Sequence, residues 1–488
     1  MMKRTWTNHG AALIVAMAAG ATAMADEVMV YTSENAPDAP AVDELERRES
    51  VSQYGITWTF DEAVPVGRFV TGDYYVVGPV TVASVSPAQT GRGEDFRNGS
   101  MLNPPVDGSS AYDGRFTNVT DEHLARVARF PLEMQPGDSL VSSVSLEQRT
   151  HNEVLHGPHR DSPARSPLRA MAVLTVLEEP VPSDTFRPGY ADLEKDRLYR
   201  ASEIRWERLL RLELPGSAPD MAEVVRMFER PWVDHVRGWT SRDIHAIENM
   251  PGYGREVGRA VQIGALMMLG DFSDEQKAPL VYGMMQVAID NWAVATRGGG
   301  WPAQGGFGNG RKAPIVLAAV LFDDEAMSQI AANAPDAVFG EDQHTELGEA
   351  WTGAKVRFTG QYPEAYAGNP EQYADRGPYE HLEPRDWPGN NRTMSESYRR
   401  CCTSISWVGQ ALAVRLLEAE RVWDHAAFFA YVDRWMTEDD GPFLDAMQEQ
   451  INSRPGIRQG TTEFDPFVDD MWAMYRGTIE PAADETWR

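Results

Sequence analysis

The sequence predicts a multidomain α+β protein in which an N-terminal β-sandwich-like domain, residues 51–180, precedes a C-terminal (α/α) toroid, residues 190–480. The first part contains β-branched and aromatic runs with period-two alternation, such as "GITWTF" at Gly55–Phe60, which is typical of half-buried strands. After about residue 190 the alternation gives way to helical spacing. The loops between these helices are long and rich in aromatic residues, which favours a toroid whose loops line a central cleft.

The first 50 residues precede both regions. A basic start, a short apolar run and the motif Ala23–Ala25 predict a Sec signal peptide over 1–25 that is cleaved after Ala25. The run is too short to span a bilayer. Residues 26–50 are rich in Pro, Asp and Glu, so we expect a flexible lead-in. The protein is therefore expected to be soluble, periplasmic or secreted, with no membrane insertion.

Helical periodicity in the second part predicts a series of helices. One of them, "LVYGMMQVAIDNWAV", is apolar on nearly every side and should be buried. No period of 34–45 residues supports a helical-repeat solenoid as the alternative. The predicted helices run over about 193–212, 254–270, 276–296, 313–333, 403–419, 426–436 and 442–451.

Composition excludes several function classes. With 73 acidic and 45 basic residues, the chain has a net charge of −28, so no broad basic surface can form to bind nucleic acid. The two cysteines, Cys401 and Cys402, are adjacent, which leaves a vicinal disulfide or two buried thiols. The C-x-x-C motif of thioredoxin-like redox proteins and the H-E-x-x-H motif of zinc enzymes are missing, so we expect no metal and no cofactor.

A glycine-rich segment, "RGGGWPAQGGFGNGRK" at 297–312, has seven glycines and three basic residues but no acid. Glycines allow a backbone to approach a ligand closely. Trp301 and Phe307 are candidates for stacking on sugars, and Arg311 for gripping a carboxylate or sulfate. A solvent loop without function is the alternative.

A second segment, "SRDIHAIENMPGYGRE" at 241–256, places four candidate residues at the start of a predicted helix. Removing a proton next to a uronate carboxylate requires a base and a group that neutralises the carboxylate. Tyr253 or His245 could supply the base, while Asn249 and Arg255 could bind the acid. A structural turn is the alternative, because "NMPGYG" is rich in turn formers.

The third segment, "YEHLEPRDWPGNNRTMSESYRRCC" at 379–402, is the densest in polar and aromatic residues. Tyr398 and His381 are candidate catalytic residues here, and Trp387, Asn391 and Arg399 are candidates for binding substrate. Thr403 or Ser404 is the expected N-cap of the following helix. The cysteine pair would then lie just before a helix start and stiffen the wall of a cleft.

Four stretches of the chain resemble a group of secreted bacterial proteins related to (α/α)-toroid polysaccharide lyases of the alginate-lyase and heparinase-like kind. They are "NMPGYGRE", "GGGWPAQGGFGNGRKAPIVLAAVLFDDE", "ESYRRCCTSISWVGQALAVRLLEA" and "WDHAAFFAYVDRWM". The resemblance covers about 190–480. It implies a carbohydrate cleft and a Tyr/His/Arg/Asn elimination site. In those lyases the helical domain comes first, whereas the order here is reversed.

Three functions follow as hypotheses. The first is β-elimination on an acidic, uronate-containing glycan, because locally basic loops in an acidic chain would concentrate an anionic substrate. The second is hydrolysis on the same scaffold, which needs a pair of carboxylates flanking the glycosidic bond. The third is glycan binding without turnover. The candidate acids for hydrolysis are Asp234, Asp243, Glu248, Glu380, Glu383 and Glu396.

Overall fold

The computed structural model describes residues 28–106, 111–116, 120–148, 166–235, 245–252, 254–388 and 393–479. Within these ranges the protein is mixed α+β, with an N-terminal curled sheet and a C-terminal helical region. The strands of the main sheet are β1 (Glu46–Gln53), β2 (Ile56–Arg68), β3 (Tyr74–Val77), β4 (Val80–Ser86), β5 (Ser100–Leu102), β6 (Leu132–Met134), β7 (Ser139–Ser145) and β8 (Leu168–Leu177).

These strands form one sheet in the order β5-β7-β8-β3-β2-β4-β6, with β1 paired to β2, so the expected sandwich of two separate sheets is corrected to a single curled sheet. The physical reason is the length of β2. Its 13 residues pair with β4 at one end and with β3 at the other. The sheet folds over its own core, where Trp58 Nε1 on β2 donates to Ser142 Oγ on β7 at 3.0 Å.

The segment before the sheet differs from the expected flexible lead-in. Strand β1 already begins at Glu46. Further upstream, the backbone of Tyr31 donates to Tyr282 Oη at 3.2 Å and accepts from Trp206 Nε1 at 3.0 Å. The residues around Tyr31 are thus tied to the helical region.

Helices dominate the second region. One short helix, α1 (Asp121–Ala125), lies in the first region. The helices of the second region are α2 (Met221–Val225), α3 (Arg255–Met268), α4 (Asp274–Thr296), α5 (Lys312–Phe322), α6 (Glu325–Ser328), α7 (Ile330–Asn333), α8 (Gly340–Gln343), α9 (Pro363–Gly368), α10 (Met394–Tyr398), α11 (Val408–Leu416), α12 (Glu420–Trp423), α13 (Ala426–Thr437), α14 (Gly441–Ile451) and α15 (Pro466–Tyr475). Short strand pairs accompany them: β9 (Gly300–Trp301) with β10 (Val338–Phe339), and β11 (Thr345–Leu347) with β12 (Val356–Phe358).

Two helix predictions are corrected. The segment 193–212 contains only two single-turn 3₁₀ helices, because its backbone bonds to neighbouring elements instead of to itself. Arg205 N donates to Leu321 O at 2.7 Å, and Leu212 N donates to Leu269 O at 2.9 Å. The predicted helix over 313–333 is broken at Asp323, which adopts a left-handed conformation with φ 52°.

A buried ion triad joins the two regions. Arg187 binds Asp73 next to β3 at 2.8 Å and Asp290 on α4 at 2.6 Å, and all three side chains are at most 2% exposed. Removing one partner from such a site leaves an uncompensated buried charge. The sheet is therefore fixed to the helical region by a contact that has little tolerance for change.

Candidate functional site

The structure brings the three segments singled out in the sequence to one point. Gly254 and Gly306 are in direct backbone contact, since a Cβ atom at Gly254 would lie 2.9 Å from Gly306 O. A Cβ at Gly306 would lie 2.5 Å from Cys402 O, which no real side chain permits. Glycine is therefore required here because three backbones meet.

Side chains then tie the three backbones together. Arg255 Nη1 donates to Cys401 O at 2.7 Å, and Asn309 Nδ2 donates to Cys402 O at 2.9 Å and to Ser406 Oγ at 2.9 Å. The cation of Arg255 is also held by Glu256, at 2.8 Å. The expected role of Arg255 in binding a substrate carboxylate is thus corrected, because its charge is already paired within the protein.

Cys401 and Cys402 form a disulfide, which resolves the two alternatives left by the sequence. The expected helix start at Thr403 or Ser404 is wrong. Helix α10 continues into a π-helical turn over Arg399–Thr403 and then a 3₁₀ turn before α11. The Thr403 hydroxyl donates to Tyr398 O at 3.2 Å and to Arg399 O at 3.0 Å, which ties the side chain to the backbone of the widened turn.

Tyr398, the last residue of α10, is half-buried and lies on what we call the outer face of the helical stretch 394–403. Its ring lies on Gly305, where a Cβ would approach Tyr398 Cδ1 to 2.6 Å. Tyr362 is close by: burial raises its pKa, the neighbouring Tyr398 raises it further, and Arg376 lowers it. The Arg376 guanidinium lies 5.0 Å from the centre of the Tyr362 ring. Two phenols and a partly exposed cation therefore share this surface.

The inner face of the same stretch, residues 394–403, carries a buried network of ion pairs. Glu396 binds Arg399 at 2.8 Å and also contacts Arg400, which binds Asp440 at 2.7 Å. Burial alone would raise the pKa of Glu396, but the two guanidinium groups lower it to about 2. Arg399 is fully buried, so its expected role as a substrate-binding residue is corrected to one in holding the fold.

Arg311 is likewise buried and paired, with its guanidinium 2.7 Å from Asp234 Oδ2. His245 lies beside it, and burial followed by the charge of Arg311 holds the pKa of the imidazole well below its usual range. Arg311 therefore stabilises the end of the glycine-rich loop and is closed to a substrate anion. His245 is buried as well, which leaves it without the solvent access that a base acting on a polysaccharide needs.

The three aromatic residues expected to stack on sugars are core residues. Trp301 is 2% exposed and donates from Nε1 to Asp234 O at 3.2 Å. Trp387 is 2% exposed and packs edge-on against Tyr379 with 4.9 Å between ring centres, and Phe307 is 5% exposed. Stacking requires an open ring face, so these expectations are wrong.

Asn249 also proves structural. Its amide nitrogen donates to Met171 O and Pro231 O at 2.9 Å, and its oxygen accepts from Met171 N at 3.2 Å. The side chain thus fastens the 245–252 turn to β8, and its burial closes it to a substrate. His381 is exposed in a turn, and no contact joins it to Tyr398 within the described residues. Tyr253 and Asn391 lie outside the described residues.

A short segment after β10 holds the glycine-rich loop by hydrogen bonds to its backbone. Ala303 N donates to Gln343 Oε1 at 2.8 Å, His344 Nε2 lies 3.0 Å from Gly305 O, and Gly310 N donates to Glu341 Oε1. We call Glu341, Gln343 and His344 the loop cradle. It lies under the loop because β10 pairs in parallel with β9, the strand that opens the loop.

Two groups of the loop cradle have shifted pKa values. Burial lowers the pKa of His344 to about 4, against the opposing effect of the carbonyls of Gly305 and Gly360. Burial raises the pKa of Glu341 to about 7. Both groups are therefore driven toward their neutral forms. Sequence reasoning missed the cradle, since a single Glu among 73 acidic residues gives no local signal.

Across the described ranges, no group of three or more His, Cys, Asp or Glu residues is arranged to hold a metal ion. No helix in this part of the chain is long and apolar enough to cross a membrane. Comparisons with protein-family models, curated proteins and solved structures find no match to the chain.

Proposed function

We propose that the chain is a polysaccharide lyase that cleaves an acidic, uronate-containing glycan by β-elimination, with Tyr398 as the group that moves the proton. One observation carries the proposal. A half-buried tyrosine packs on a buried glycine at the junction of three segments, close to Tyr362, whose ring contacts the partly exposed guanidinium of Arg376. Gly305 is buried under the Tyr398 ring, so a sugar would meet the exposed side of the phenol.

The reaction needs only groups that this surface offers. In its deprotonated form the Tyr398 oxygen takes the proton from C5 of the uronate, the electron pair of that C–H bond forms a double bond to C4, and the C4–O4 bond breaks. The proton returns from Tyr398 to the departing oxygen. A guanidinium beside the carboxylate stabilises the charge that develops on it. Arg376 is the best candidate, because its nearest carboxylate oxygen, on Asp375, is 3.9 Å away.

Hydrolysis receives less support from the described carboxylates. Each candidate acid among them has an arginine partner, and only Glu383 is exposed. Asp243 lies outside the described residues. Three of the described candidates, Asp234, Glu380 and Glu396, are engaged by buried guanidinium groups, which makes them poorly suited to act as nucleophile or base on a glycosidic bond. The pairs are Asp234–Arg311, Glu248–Arg169, Glu380–Arg434, Glu383–Arg385 and Glu396–Arg399.

The proposal includes the (α/α) toroid and the kinship with secreted toroid lyases. Packing of α3 against α11 and α15, and of α4 against α5, is compatible with paired helices around a centre. It also includes export by a signal peptide over residues 1–25, which lie outside the described residues. In that setting a polymeric acidic substrate is accessible to the enzyme.

The test uses the mature protein with a panel of glycans: alginate, glucuronan, ulvan and heparan sulfate, with neutral glycans as matched controls. Ultraviolet absorbance of the unsaturated uronate and release of reducing ends are followed together. The proposal predicts that both rise on at least one acidic glycan and on no neutral one. Reducing ends without ultraviolet absorbance would establish hydrolysis and overturn it, as would binding without turnover.

A further inference from the structure

Glu341 is a buried acid at the centre of the loop cradle. Its side chain is 0% exposed, and Oε1 accepts from the backbone N–H of Gly310. Oε2 has no hydrogen-bond partner among the described residues. A buried carboxylate with one free oxygen is costly when ionised and much less so when protonated.

The charged groups around Glu341 are already paired with other partners. On its own helix, Asp342 pairs with Lys312 of α5. From the loop, Arg311 faces it but is bound to Asp234. Behind it, Thr345 links the Glu341 carbonyl to His425, and His344 is occupied by two backbone carbonyls. Burial is the largest influence on the pKa of Glu341, and it is opposed first by the Gly310 N–H and only later by Arg311.

Gly310 connects this acid to the candidate site. A Cβ at Gly310 would lie 2.7 Å from Gly258 Cα on α3, so the loop has no free space on that side. Its neighbour Asn309 holds Cys402 O, and Gly305 at the other end carries the Tyr398 ring. A shift of Gly310 must therefore move the backbone on which the catalytic tyrosine lies.

We propose that Glu341 is a positioning residue that holds the glycine-rich loop, 303–310, in its binding conformation only while its carboxyl group is protonated. The inference rests on the proposed function for its effect on turnover, but the loop rearrangement itself does not. On ionisation the carboxylate keeps its backbone N–H donors, but Oε2 has no hydrogen-bond partner among the described residues, so ionisation favours a rearranged loop that admits water.

The direction with pH follows from the titration. The folded-state pKa of about 7 lies above the usual value of 4.5, so the folded protein binds the extra proton between these limits. The loop is held below pH 7 and released above it. If turnover follows the protonated fraction, kcat/KM falls about tenfold per pH unit above that midpoint.

Two readouts that do not depend on activity test the loop rearrangement. Infrared difference spectra should show a protonated carboxyl band that disappears as pH rises through 7, and amide hydrogen exchange of residues 303–310 should accelerate beyond its intrinsic pH dependence over the same range. Both changes should vanish in Glu341→Gln, an isosteric variant that cannot ionise. They should persist in Glu325→Gln, the matched control on another four-residue helix, where the acid is exposed.

The pH profile of kcat/KM on the cleaved glycan then tests the effect on the site. Wild type and Glu325→Gln should lose activity above pH 7, while Glu341→Gln should stay level. An unchanged alkaline fall in a folded Glu341→Gln protein would overturn the proposal, as would a titrating band that survives the substitution. If Glu341→Gln does not fold, the hydrogen exchange of the wild type decides. The proposal is overturned if exchange of residues 303–310 shows no acceleration linked to pH. Failure of every glycan affects the proposed function alone.

Discussion

The two faces of one short helical stretch, residues 394–403, differ sharply in how they use charge. On the inner face, Glu396, Arg399 and Arg400 are completely buried and form a closed network. On the outer face, Tyr398 and the Cys401–Cys402 disulfide are half-buried and border the glycine-rich loop. The contrast teaches that arginine density alone does not mark a binding site. What distinguishes the outer face is a phenol that the fold leaves partly exposed.

The largest expected effect comes from the outer face. Tyr398→Phe keeps the ring on Gly305 but removes the phenol oxygen, so turnover should fall about 10²- to 10⁴-fold, the usual contribution of a positioned acid or base. The free energy of unfolding should stay within about 0.5 kcal/mol of wild type. Steady-state kinetics and urea denaturation check both. Tyr475→Phe, which removes a half-buried phenol at the end of α15, is the control and should retain full activity.

The inner face should respond in stability. Arg400→Ala leaves Glu396 and Asp440 without a shared partner, and breaking a buried pair costs about 3–5 kcal/mol of unfolding free energy. Arg385→Ala, which removes an exposed arginine paired with Glu383, should cost less than about 1 kcal/mol. Chemical denaturation of both variants measures the difference. Equal losses would erase the distinction between a buried network and a surface pair.

Acid should also act through the inner face. The pKa of Glu396 is lowered to about 2 from its usual 4.5, so its contribution to stability is present above pH 4.5 and is lost as pH falls toward 2. The contribution is about 3 kcal/mol at neutral pH. Thermal unfolding between pH 2 and 5 should show a shallower slope for Glu396→Gln than for wild type. Parallel slopes would mean that other groups cause the acid sensitivity.

Arg376 tests which cation serves the outer face. Arg376→Gln should raise KM for an acidic glycan about 10- to 100-fold, because it removes a charge-assisted contact to the carboxylate. Binding of a neutral sugar should not change. Arg226→Gln, which removes an exposed arginine at the end of α2, is the control. A normal KM in Arg376→Gln would show that Arg376 does not bind the substrate carboxylate and would transfer the role to another cation.

The smallest effect is expected for the disulfide. Replacing Cys401 and Cys402 together by Ser should lower the free energy of unfolding by about 1 kcal/mol, since a cross-link between neighbours closes almost no loop. Turnover should persist at a reduced level, because the carbonyls that bind Arg255 and Asn309 remain. Reduction of the wild type with dithiothreitol should reproduce the result. Complete loss of activity in a folded variant would give the disulfide a direct part in the chemistry.

Much of the coarse organisation could be predicted from the sequence. Period-two runs predicted the strands, and helical spacing predicted α3, α4, α13 and α14 closely, because long periodic segments bury a continuous apolar face. Composition also identified the three segments that meet at the site. Their glycines were informative for a reason the sequence could not show, namely contact between backbones at Gly254 and Gly306.

The direction of each side chain was beyond the sequence. Tyr398, Arg399 and Arg400 are consecutive, yet a helical turn sends the first outward and the other two into the network. For Trp301 and Trp387, the sequence cannot distinguish a tryptophan that lines a cleft from one that is buried in the core. Tyr362 and Arg376 lie within the long 351–400 loop. That loop contains many polar and aromatic residues, so nothing in the sequence singles out these two. Long-range packing decides these cases.

The most direct test of the central claim is a crystal structure of Tyr398→Phe with the oligosaccharide that the wild type cleaves. We expect a uronate ring on the exposed side of residue 398, with C5 facing the ring at that position and the carboxylate at Arg376. A sugar bound on another surface, with no atom near residue 398, would contradict the assignment of the outer face as the catalytic site.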